Sequence, residues 1–109
     1  MKLSSALREK KRYVVFEILG GKFELDNFNS AFQKQAFEFL GDSEMSNAKP
    51  ELIKECWKKN KGVIRVIRGF EKHVKIVLAL VREIKGKKVI VFSRKISGSL
   101  KKCKSLLVN

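Results

Sequence analysis

The sequence predicts an α+β sandwich, an antiparallel sheet with two helices on one side, and three observations carry that prediction. Runs rich in β-branched and aromatic residues occur at Tyr13-Val14-Val15-Phe16-Glu17-Ile18-Leu19, at Val63-Ile64-Arg65-Val66-Ile67-Arg68 and at Val89-Ile90-Val91-Phe92. Between them lie two stretches whose apolar residues recur at helical spacing. The resulting order, strand, helix, strand, strand, helix, strand, is the split arrangement of ferredoxin-like folds, to which a C-terminal helix is added.

The first strand is expected over Tyr13 to Leu19, ending at Gly20-Gly21. Asp26 or Asn27 is a candidate N-cap for a helix with apolar residues at Phe28, Phe32, Ala36, Phe39 and Leu40. Gly41 suits the position past its end, and Asp42 to Lys49 reads as a polar loop. Glu51 to Trp57 fits a short helix or a strand. The turn-like Asn60-Lys61-Gly62 that follows favours a strand, forming a hairpin with Lys61 to Arg68.

The second helix runs from Phe70 to about Lys85 on a stripe of Phe70, Val74, Val77, Leu78, Val81 and Ile84, with a basic last turn. From Ile76 to Val81 every side chain is apolar, so this half needs a second burial surface, either the C-terminal segment or another protein. Val89 to Phe92 is the last strand. Ser97 or Ser99 can cap a final helix carrying Leu100, Cys103, Leu106 and Leu107.

A length of 109 residues reads as one domain, with residues 1–11 as a basic N-terminal arm and 97–109 as a C-terminal helix or tail. The 44% hydrophobic fraction argues against disorder. Formal charge is +14 and unevenly spread: Met1 to Arg12 carries +4, Tyr13 to Glu44 carries −4, and Met45 to Asn109 carries +14. That asymmetry points to a polyanion. Nucleic acid is favoured over a membrane, because the longest wholly apolar run, Ile76 to Val81, is far too short to span a bilayer.

Catalytic chemistry is sparse. Cys56 and Cys103 form no CxxC pair and read as buried or idle thiols; the single histidine, His73, reads as a surface residue. There is no phosphate-binding GxxxxGK[ST] loop, no acidic cluster for magnesium and no base for a serine nucleophile. The N-terminus lacks a secretory pattern, so a cytoplasmic, reducing setting is expected.

What remains is cationic. Candidate contacts are Arg8, Lys10, Lys11 and Arg12 in the arm, Lys58, Lys59 and Lys61 in the hairpin, Arg65 and Arg68 in the third strand, and Lys101, Lys102 and Lys104 in the tail. Arg65 sits among apolar neighbours, so its charge reaches an open sheet face or is paired, with a phosphate or with Glu17. Ser97-Gly98-Ser99 offers hydroxyls and backbone N–H groups to a phosphate, or is a plain cap. Lys61-Gly62 matches the start of the third strand of an RNA recognition motif, but Val63, Arg65 and Ile67 stand where the stacking aromatics would follow. Contact with the backbone of a folded RNA therefore outranks base reading on the sheet.

Three stretches, REKKRYVVFEI (Arg8 to Ile18), KGVIRVIRGFEKHVKIVLALVREIKGKKV (Lys61 to Val89) and ISGSLKK (Ile96 to Lys102), resemble the archaeal ribonuclease P protein component 2 family, which is related to a eukaryotic subunit of the same enzyme. The resemblance implies an RNA-recognition-motif-like sandwich acting as a non-catalytic subunit of ribonuclease P. In that enzyme RNA is the catalyst and removes the 5′ leader of precursor tRNA with magnesium ions; the protein itself binds no cofactor. The implied partners are ribonuclease P RNA, precursor tRNA indirectly, and a barrel-fold protein subunit, with two copies of each protein in a heterotetramer. Carried over by position, Arg65, Arg68, Ser97 and Lys101 become RNA contacts, and Val77, Leu78 and Leu80 become protein contacts. The alternative is a general structured-RNA or ribosomal RNA-binding module without a dedicated enzyme complex.

Overall fold

The computed structural model describes residues 10–107, so Arg8 and most of the expected arm lie outside the described residues. A four-stranded antiparallel sheet has the order β2-β3-β1-β6, formed by β1 (Lys11–Leu19), β2 (Glu51–Leu52), β3 (Lys61–Ile67) and β6 (Ile90–Ser97). Two helices, α1 (Leu25–Ala48) and α2 (Glu71–Leu80), pack on one face, and α3 (Leu100–Leu107) packs across the other. A small hairpin of β4 (Glu83–Ile84) and β5 (Lys87–Lys88) follows α2. This is the expected ferredoxin-like arrangement with a C-terminal helix.

Alternation along β1 decides the layering. Val14, Phe16 and Ile18 face the helices with Ile64, Val66, Phe28, Phe32, Val74 and Leu78, while Val15 faces the opposite side with Val63, Cys56 and Cys103. The larger core is organised by rings. Phe28 stacks on Phe16 at 4.7 Å between centroids, on Trp57 at 5.7 Å and on Phe32 at 6.0 Å. Gly62 makes room for them, since a Cβ there would come within 2.8 Å of the Phe16 ring.

Several boundaries differ from the sequence reading, and β6 runs on to Ser97 rather than ending at Phe92. β1 begins at Lys11, so Lys11 and Arg12 are strand residues rather than part of an arm. The first helix starts at Leu25, with Glu24 rather than Asp26 or Asn27 at the N-cap, and does not end at Gly41. Gly41 (φ 78°, ψ 174°) kinks it, and residues 42–48 form a further helical segment instead of a polar loop. Ala48 and Met45 anchor that segment on the core, and Lys49 closes it in the left-handed region by donating its N–H to the Met45 carbonyl at 2.9 Å.

Glu51 to Trp57 is mostly not strand. Only Glu51 and Leu52 pair with β3, and Lys54–Cys56 is a 3-10 turn. The hairpin expected into β3 is nonetheless present. Lys58 and Lys61 exchange two backbone hydrogen bonds of 2.9 Å around Lys59 and Asn60, both at positive φ.

The second helix stops at Leu80 and has no basic residue in its last turn. Val81 and Ile84, expected on its stripe, are buried at 3% and 1% exposure but belong to the descent into the β4–β5 hairpin, which turns on Lys85 and Gly86 at positive φ. α1 as well as the sheet covers α2 at Val74, Val77 and Leu78, while Ile76 and Ala79 on its remaining apolar face stay exposed. Val77 and Leu78, expected to meet a protein partner, are 1% exposed and lie in the core; Leu80 is half-buried, and Ile76 at 45% is the exposed large apolar residue of this helix. His73 is half-buried with its ring 5.2 Å from that of Phe70. No helix among the described residues is long and apolar enough to cross a membrane.

Candidate nucleic-acid interface

Antiparallel pairing gathers several of the predicted cations at one end of the sheet. β1 starts there, while β3 and β6 finish there: Lys11 lies opposite Ile67, Arg12 opposite Val66 and Tyr13 opposite Ser97. Lys10, just before β1, accepts the Arg68 N–H on its carbonyl at 2.8 Å, which holds Arg68 beside it. The Arg12 guanidinium donates to the Lys11 carbonyl at 3.3 Å and reaches over Gly98, where an added Cβ would sit 3.0 Å from Nη1. Residues far apart in sequence thus share one rim.

Entry into α3 completes this end. Ser97 Oγ accepts the Ser99 N–H at 3.1 Å, and Ser99 Oγ accepts the Lys102 N–H at 3.4 Å. Ser99 is therefore the side-chain cap of α3, and the plain-cap reading of Ser97-Gly98-Ser99 has direct geometric support. Lys101, Lys102 and Lys104 are exposed on that helix. Cations close to a helix N-terminus oppose its dipole, so an anion shared between the helix end and the lysines relieves both.

α3 also governs the sheet face. Cys103, fully buried, and Leu100 pack with Val15, Val63, Ile53, Cys56 and Tyr13. The helix occupies the surface on which RNA recognition motifs stack bases, in keeping with the missing aromatics of β3. Burial pushes the Cys56 thiol up, with Lys104 opposing and Glu55 adding to the rise. Burial likewise pushes the Cys103 thiol up, reinforced by Cys56 and opposed by Lys95.

Arg65 and Lys61 stand apart from this cluster. Arg65 is paired with Glu51 rather than Glu17, in a half-exposed ion pair set by the register that places Glu51 directly opposite it. Glu17 is instead held by Arg94 at 2.7 Å. Lys61 lies opposite Glu17 at the far end of the sheet, next to Lys58 and Lys59.

Sequence reasoning missed Arg94, Lys95 and the cations of the β4–β5 hairpin, Lys85, Lys87 and Lys88, all exposed. The signal for the hairpin was Lys85-Gly86, two residues able to adopt positive φ between short runs. Among the described residues no group of three or more His, Cys, Asp or Glu side chains is placed to hold a metal ion.

Comparison with known proteins adds four findings. The model of the Rpp14/Pop5 family matches residues 12–108. The chain is 34% identical to ribonuclease P protein component 2 of Pyrococcus horikoshii over 103 residues, covering 94% of this chain and 86% of that protein. It is 33% identical to the protein of the same name from Methanocaldococcus jannaschii over 103 residues, covering 94% and 75%. In fold, it resembles a chain in the cryo-EM structure of yeast ribonuclease MRP, with a TM-score of 0.53 over 93% of this chain and 88% of that one at 12% identity.

Proposed function

The chain belongs to the Rpp14/Pop5 family, and on that premise we propose that it serves as a protein subunit of ribonuclease P, supporting a catalytic RNA that removes the 5′ leader of precursor tRNA. The carrying observation is that membership together with the rim of Lys10, Lys11, Arg12, Arg68, Lys101 and Lys102 at one end of the sheet. The protein contributes no reacting group. Its cations neutralise phosphates where RNA helices crowd together, which lowers the magnesium concentration the RNA needs to reach its active fold. Ser97 acts in this by ordering the turn into α3, where Gly98 lies under the Arg12 guanidinium.

A barrel-fold protein subunit, paired as two copies of each chain, remains part of the proposal. With Val77 and Leu78 buried, its contact on α2 would fall on Ile76 and Leu80. The test is cleavage of precursor tRNA by cognate RNA over a magnesium series, with and without this chain and that partner. A shift of the half-maximal magnesium concentration to lower values is expected; an unmoved curve sinks the reading. Competition with bulk tRNA in a filter-binding assay separates it from a general structured-RNA module, which would show no preference.

A further inference from the structure

Away from the cationic rim, β6 is an edge strand. It pairs with β1 on one side and with no strand on the other among the described residues. Such an edge presents backbone N–H and C=O groups without partners, and native edges are blunted by bulges and by charged side chains. The later half of β6 has both devices: the register shifts opposite Val15 and Phe16, and Arg94 and Lys95 are exposed. Its first half has neither. Ile90 is 65% exposed and Phe92 38%, with Val91 buried between them.

An apolar recess lies on each side of this half-strand. On the open face, Ile90 lies opposite Leu19, itself 50% exposed, beside a shallow groove of about 330 Å³. On the helix side, Ala79, Val89 and Val91 line a cleft of about 560 Å³ whose rim carries Arg82 and Lys88. Side chains of an added strand alternate between the two faces, so successive residues would fill one recess and then the other. The recesses are flanked by cations, since Arg82 and Lys88 line them and Lys87 is exposed just before, while Glu83 is the acid among the residues lining the cleft and Arg94 is already paired with Glu17.

We infer that the first half of β6 accepts, as a fifth strand, an extended segment of a partner protein with an apolar centre and acidic flanks. An RNA strand would satisfy the cations but brings neither a peptide ladder nor aliphatic side chains. A second copy of this chain brings the same basic rim and is repelled by it. The inference needs only the edge, the recesses and the charge, and holds or fails independently of the ribonuclease P reading.

The probe is a labelled synthetic peptide, Glu-Glu-Val-Ile-Val-Ile-Val-Glu-Glu, titrated into the full chain by fluorescence anisotropy, with amide exchange of residues 90–93 followed in parallel. Saturable binding and slowed exchange are expected. Ile90→Glu, lysine flanks in place of the glutamates, and proline in place of the central valine should each weaken binding by about tenfold or more. Affinity for ribonuclease P RNA should stay within about twofold in Ile90→Glu, because Lys10, Lys11, Arg12 and Arg68 lie at the opposite end of the sheet. Absence of peptide binding, or equal binding of the proline peptide, overturns the inference. So does protection of residues 90–93 by oligouridylate, which assigns the edge to RNA, or by concentration of the unliganded chain, which assigns it to a second copy. Should Ile90→Glu unfold, the lysine and proline peptides on the unaltered chain decide the matter.

Discussion

Where β1 begins and β3 and β6 end, the sheet carries Lys11, Arg12 and Ser97, and α3 closes the face; where β1 ends and β6 begins, those two strands carry Leu19, Ile90 and Phe92, and their face stays open. β1 and β6 are thus each divided lengthwise, β1 from Lys11-Arg12 to Ile18-Leu19 and β6 from Ile90 to Ser97. Antiparallel pairing then aligns the like halves. The two ends are separated by the length of β1, roughly 25 Å at the usual strand rise, several times the Debye length at physiological salt. Two unlike surfaces can therefore be tuned independently on one small sheet, provided the core between them stays rigid.

That proviso gives the largest expected effect. Phe28 holds Phe16, Phe32 and Trp57 together beneath both ends. Phe28→Ala should cost about 3–5 kcal/mol in denaturant unfolding and remove RNA and peptide binding together. Loss of one function with the other intact would show that the ends do not share a cooperative core.

Next in size is selective loss at the cationic end. Arg12→Glu with Lys101→Glu and Lys102→Glu should weaken affinity for ribonuclease P RNA by about a hundredfold and flatten its salt dependence. The thermal midpoint should change little, since Lys101 and Lys102 are exposed and Arg12 only half-buried. An unchanged salt slope would move the RNA-facing surface elsewhere, with the β4–β5 cations next in line.

How much of this was legible follows from which features are local. The stripe Phe28, Phe32 and Ala36 was readable because helical spacing and burial coincide. Gly41 has the local signature of a helix end, yet it is a kink, because Met45 and Ala48 still meet the core beyond it and no local rule reports that. Val81 and Ile84 continue a helical spacing after the helix has stopped; they are buried either way, so periodicity could not arbitrate. The cationic rim was readable as composition but not as a place. It exists only because of the β1–β3 and β1–β6 registers, which also separate Lys61 from Arg68 by the length of β3.

A smaller, pH-dependent effect tests the seat of α3. Burial raises the thiols of both Cys56 and Cys103, so the folded chain favours the protonated forms. As pH rises through the ordinary thiol range, about 8.5, the unfolded chain ionises first and stability falls. The contribution is intact below that range and is lost as pH climbs through the folded-state values. Replacing both cysteines with alanine should lower stability at pH 7 while flattening its decline toward pH 10, read from urea midpoints at the two pH values. An unaltered slope would mean that neither thiol is held away from water, and hence that α3 is not seated on the sheet in solution.

The smallest effect bears on Arg65, the cation that belongs to neither end. Its position was readable from sequence but its partner was not, because Glu17 faces Lys61 while the short β2 strand delivers Glu51. Both side chains are substantially exposed, at 40% and 59%, so the pair contributes about 0–1 kcal/mol to stability. Holding Arg65 against a carboxylate also screens it from phosphate. Glu51→Gln should therefore leave the unfolding midpoint nearly unchanged and strengthen RNA binding by about two- to fivefold at low salt, with the gain fading as salt rises. If Glu51→Gln and Arg65→Ala both leave RNA affinity unchanged, the middle of β3 is a spacer between the two ends. If Arg65→Ala weakens binding in the wild-type background, the cationic rim extends along β3 toward the β2 edge, and the lengthwise division holds for β1 and β6 alone.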